Sequence, residues 1–70
     1  MPETWIGVLV MSRLNRPFMR ESRAELQRGG VKSRVRYGRF KFRNGTHEQG
    51  WMLQVPMGEG AKAPRILKID

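Results

Sequence analysis

At 70 residues the chain has room for one small domain, which buries only roughly 60% of its unfolded surface and has a thin stability margin. It contains no cysteine, which excludes disulfides and thiolate metal sites and fits a reducing, cytoplasmic setting. Fourteen Lys and Arg against six Asp and Glu give a formal charge of +8; most of the cations are Arg, whose planar guanidinium matches phosphate bidentately, and this points to a polyanionic partner.

In chain order, "WIGVLVM" (residues 5–11) is the longest apolar run. It is far short of the about twenty residues a membrane helix needs, and it lacks the flanks of a signal peptide. Ile6, Val8 and Val10 favour a first strand, and Gly7 disfavours a helix.

"NRPFMRESRAELQRGG" predicts a helix over 17–28, with Pro17 suited to its first turn and Gly29 and Gly30 to its end. At about 100° per residue, Phe18, Met19, Ser22 and Leu26 fall in one arc, which is expected to pack on a sheet. Arg16, Arg20, Arg23 and Gln27 fall in another, expected to face solvent as a basic stripe.

Residues 31–37 alternate as a strand, with Val31, Val35 and Tyr37 on one face and Lys32, Arg34 and Arg36 on the other. Past Gly38 the parity reverses: Phe40 and Phe42 are apolar, and Arg39, Lys41 and Arg43 are basic. A bulge at Gly38 would place all six cations on one face; a turn there would make two shorter strands.

"FKFRNGTHEQGWMLQVP" reads as a hairpin whose second strand spans about 50–56. A two-residue turn at Asn44-Gly45 sets Phe42 opposite His47; a four-residue loop from Gly45 to Glu48 sets it opposite Trp51. The wider loop is preferred for its aromatic and aliphatic cross-strand pairs. In both registers Phe40 and Phe42 share the core face of Trp51, Leu53 and Val55.

Residues 57–70 are expected to form a flexible C-terminal segment, with a short docking strand at 65–69. The sum is an α+β domain over residues 1–56: a small antiparallel sheet of three to four strands, one helix on one face, in the order β-α-β-β-β. Exposed edges and a thin core also suggest a homodimer, through the first strand or the C-terminal one.

The main functional feature is the strand ladder of Lys32, Arg34, Arg36, Arg39, Lys41 and Arg43. Same-face side chains along a strand lie about 7 Å apart, a pitch comparable to that of successive phosphates along a nucleic-acid strand. The charge is unbalanced, since Glu48 is the only acidic residue between positions 26 and 58. Arg16, Arg20 and Arg23 form a secondary stripe, expected to point away from the ladder. The leading expectation is a small basic DNA- or RNA-binding protein, regulatory or architectural and non-enzymatic. One alternative is a protein-interaction module, such as a phage or plasmid inhibitor or an assembly subunit, that binds an acidic protein surface. Another is a small ribonuclease using His47 beside Glu48. No metal-ligand set, cofactor motif or small-molecule substrate signature is evident.

Over nine residues, "VRYGRFKFR" is similar in pattern to the basic wing hairpin of small phage excisionases and other winged-helix proteins. The preceding chain departs from that family, offering one helix where a winged helix needs a helix-turn-helix pair, and no residue role is carried across.

Overall fold

In the computed structural model, which describes residues 3–42 and 44–68, the first apolar run is an eight-residue strand, β1 (Trp5–Ser12). The Ser12 side chain accepts a hydrogen bond from Leu14 N–H at 3.3 Å and caps a 3-10 turn over Arg13–Asn15. That turn leads into α1 (Arg16–Arg28), with Pro17 in the first turn, where its missing N–H has no helical partner to lose.

α1 ends in a reversal that depends on glycine. Gly30 sits at φ +80°, its N–H donates to Gln27 O at 3.0 Å, and Val31 N–H donates to Leu26 O at 2.8 Å. This is a Schellman motif, which supplies donors to the last carbonyls and packs the following residue back on the helix. Val31 and Leu26 are both fully buried, so the motif also closes the core.

β2 (Arg34–Lys41) and β3 (His47–Pro56) form the hairpin. The sheet order is β1-β3-β2 with antiparallel neighbours, which makes β3 central and leaves β2 at an edge. The hairpin reverses between Phe42 and Thr46. Phe42 N–H donates to Thr46 O at 2.8 Å, Gly45 N–H donates to Phe42 O at 2.9 Å, and Gly45 takes φ +86°. Asn44 Oδ1 accepts from both Thr46 N–H (3.1 Å) and the Thr46 hydroxyl (2.7 Å), a local contact that holds the turn.

Neither expected hairpin register forms. The reversal sets Phe42 opposite Thr46 and Phe40 opposite Glu48, one residue away from the two-residue-turn alignment. A one-residue slip transfers every side chain of a strand to the other face. Phe40 and Phe42 therefore lie on the face opposite Trp51, Leu53 and Val55. β2 also pairs with β3 residue for residue from Arg34 to Lys41, so Gly38 is neither bulge nor turn. The irregularity falls in β1, between Gly7 and Leu9, where Val8 and Leu9 both turn to the core.

Leu26, Leu53, Val31 and Val55 are the largest fully buried side chains, each contributing about 1.5–3 kcal/mol through apolar burial. Met19, Ser22 and Leu26 of α1 are buried as expected, but Phe18 is 54% exposed. Phe18 sits about 70° round the helix from the centre of the buried arc, on the shoulder toward the second helix. That helix is short and meets α1 near Gly29, leaving the first turn of α1 uncovered.

The C-terminal segment is not a linker with a strand. After a 3-10 turn over Met57–Glu59 it forms α2 (Lys62–Leu67), and the structured domain extends past residue 56. Pro64 falls in the first turn of α2, where its lack of an N–H costs no hydrogen bond. Ala63 is fully buried, and Ile66 and Leu67 pack against the same core as Leu26 and Val55. Close approach permits this: a Cβ on Gly29 would lie 2.5 Å from Ile66 Cδ1, and one on Gly60 would lie 2.5 Å from Ile6 Cδ1. Both helices thus share one face of the sheet, and the α+β class holds with a short helix in place of a fourth strand. Among the described residues no helix is long and apolar enough to cross a membrane.

Two substitutions test these features. Gly30→Ala puts a side chain into the left-handed region and is expected to lower stability by about 1–2 kcal/mol in urea denaturation; an unchanged midpoint would contradict the reversal. Ala63→Asp buries an unpaired carboxylate and is expected to remove most of the cooperative thermal transition. Wild-type melting of that variant would return residues 62–67 to a loose tail.

Candidate nucleic-acid interface

The straight run of β2 divides the cations that the sequence reading places together. Arg34 and Arg36 pair with Gln54 and Met52 and project from the face without helices. Arg39 and Lys41 pair with Gln49 and His47 and project to the helix side, together with Val35 and Tyr37. Lys32 precedes the strand, and Arg43 lies outside the described residues. A single-faced ladder of six cations is therefore not present, because Gly38 adds no extra residue to reset the phase.

The secondary stripe gains what the ladder loses. Arg16, Arg20 and Arg23 line a groove between α1 and β2, with a volume of about 680 Å³; Lys32 borders it, but its ammonium turns away to Glu3 and the Trp5 ring. Its apolar floor includes Met19, Val31, Val35 and Trp51. The expectation that stripe and ladder point apart holds for Arg34 and Arg36 but not for Arg39 and Lys41, which share the stripe's side of the sheet. The buried arc of α1 is centred between Met19 and Leu26, so the stripe faces sideways over β2 instead of straight out to solvent.

Trp51 anchors the middle of this groove. Its Nε1–H donates to Arg13 O at 3.3 Å, tying the start of the helical region to the central strand. Tyr37 lies beside it, ring centroids 4.7 Å apart and tilted by 55°, and donates its hydroxyl to Gln49 Oε1 at 3.2 Å. Tyr37 is half exposed, with Arg39 and Lys41 following on the same side of β2. The sequence reading took Tyr37 and Trp51 only as core; the i, i+4, i+7 spacing of the three arginines next to a strand with exposed aromatics was the available signal.

Carboxylates neutralise little of this charge. The ion pairs among the described residues are Arg28 with Glu25, and Lys32 Nζ with Glu3 Oε2 at 2.7 Å, all four side chains largely exposed. No acidic residue lines the α1–β2 groove.

On the other face, the Arg34 guanidinium lies over the Trp5 ring, 4.6 Å from its centroid, and Lys32 Nζ stands 5.9 Å from the same ring. Arg34 Nε also donates to Gln54 Oε1 at 2.8 Å. His47 and Glu48 are exposed neighbours on β3 and project to opposite faces, which separates the acid–base pair a nuclease would need.

Comparison of the chain with protein-family models, curated proteins and solved structures yields no match in any of the three.

Proposed function

We propose that the protein is a small, non-enzymatic nucleic-acid-binding protein, regulatory or architectural in role, which seats a phosphate backbone in the groove between α1 and β2. The observation that carries this reading is the convergence of Arg16, Arg20 and Arg23 on one groove whose lining has no carboxylate. All three are Arg, suited to bidentate phosphate contacts. Arg39 and Lys41 extend the positive track beyond Tyr37 on the same side of the sheet. Contacts of this kind position a protein on nucleic acid without reading sequence.

Binding of an acidic protein surface is the second reading. It draws on Leu14 (80% exposed) and Phe18, exposed apolar residues four apart beside the start of the stripe, since protein interfaces favour aromatic residues and arginine together. Nucleic acid co-purifying at low salt, seen as a high 260-to-280 nm absorbance ratio that falls at high salt, favours the first reading. A clean spectrum with one tight acidic protein partner favours the second.

The direct test is the charge-reversal pair Arg16→Glu and Arg20→Glu, measured by gel shift at several salt concentrations. Affinity for nucleic acid is expected to fall at least about tenfold, and the salt slope to shrink by about 1.5, for two lost phosphate contacts. Unchanged affinity and slope would remove the groove from the reading.

A further inference from the structure

We infer that the sheet face left bare by the helices takes the unpaired bases of single-stranded nucleic acid, with Phe40 and Phe42 as stacking surfaces and Arg34 and Arg36 as phosphate contacts. This deepens the nucleic-acid reading and rests on it.

The register generates this surface. With Phe40 opposite Glu48 and Gly38 opposite Gly50, the even-numbered residues of β2 and β3 form one face, joined by Gly7 and Val10 of β1. Two cross-strand glycines at its centre leave a shallow floor. The phenyl ring tips reach that floor: Phe40 Cζ is 3.5 Å from where a Cβ on Gly38 would sit, and Phe42 Cζ is 3.0 Å from the Cβ position of Gly50. Both helices are on the far side of the sheet. Both rings are half-buried, and neither belongs to the core cluster. Partly exposed aromatic rings beside cations are what unpaired bases stack on, independently of sequence.

Charge selects the occupant. Arg34 and Arg36 sit on this face, against Glu48 as the one carboxylate of its strand residues. A second copy packed face to face would bring four arginines and two glutamates into one dry interface, leaving cations buried without partners. A duplex keeps its bases stacked within itself and offers none to the rings. A flexible polyanion carrying exposed π-systems meets both requirements. The two cationic surfaces flank β2, an edge strand, so one single strand crossing that edge reaches the groove on one side and the rings on the other.

The test compares a short labelled oligothymidine with a duplex of equal length by fluorescence anisotropy. Wild-type protein is expected to prefer the single strand. The double variant Phe40→Leu, Phe42→Leu should weaken single-strand binding about tenfold and leave duplex binding unchanged. Arg16→Glu with Arg20→Glu should weaken both. If the phenylalanine variant holds the single strand as tightly as wild type while the arginine variant weakens both, the stacking face is overturned and the groove stands. If the arginine variant binds both as wild type does, the groove reading falls instead. A second measurement leaves the phenylalanines intact: Trp51→Phe makes Trp5 the only tryptophan, and oligothymidine should quench its emission. Unchanged emission at saturation overturns the proposal, as does a dimer in equilibrium sedimentation that the phenylalanine variant abolishes.

Discussion

The turn between Phe42 and Thr46 governs which side chains meet. Gly45 at φ +86° and the Asn44 side chain bonded to Thr46 fix the length of the loop. Loop length sets hairpin register, and register sets faces. From this one alignment it follows that Leu53, Val55 and Val35 share the core, that Tyr37 meets Trp51, and that Phe40 and Phe42 do not join them. The two-residue turn would have reversed all of these pairings. The local chemistry of Asn44, Gly45 and Thr46 thus decides whether the outer face of the sheet is purely charged or carries aromatic rings.

The rest of the fold completes one side of the sheet only. The 3-10 turn leading into α1 is held by Trp51 through Arg13 O and the end of α1 by the Gly30 reversal, and α2 fills the remaining space through Ala63, Ile66 and Leu67. A chain this short cannot cover two faces of a sheet, because burial grows with size. It closes one face well, leaving no buried side-chain nitrogen or oxygen unpartnered among the described residues. The other face is left to solvent or to a partner.

Those parts of the sequence governed by local rules were legible. β1 and α1 were visible in β-branched spacing, in Pro17 and in the paired glycines, and Met19, Ser22 and Leu26 were correctly assigned to the buried arc. What failed depended on a single-residue choice or on long-range packing. The apolar residues around Gly38 suggested a phase reset, on the assumption that aromatic residues belong in the core; the register sends Phe40 and Phe42 outward instead. α2 was invisible because Ala, Gly and Pro dominate its approach and six residues carry too little periodicity to read. Its helical state depends on the core it covers. The groove was missed for a related reason: a helical wheel gives the angle between stripe and core, but not which strand lies under the shoulder.

β2 concentrates these consequences because it is an edge. Exposed edges invite pairing with other chains, and charged side chains oppose that. With Lys32, Arg34, Arg36, Arg39 and Lys41 distributed over both sides of one edge, a second strand docking there meets repulsion, whereas a linear polyanion meets attraction from either face. The reversed parity at Gly38 is then a means of placing charge on both sides of the strand. Had a bulge kept all the cations on one face, the groove side would lack Arg39 and Lys41, and the rings would be buried. In the nucleic-acid reading, the same register that costs the protein a single-faced ladder gives it two cationic surfaces meeting at β2, one aimed at phosphates and one furnished for bases.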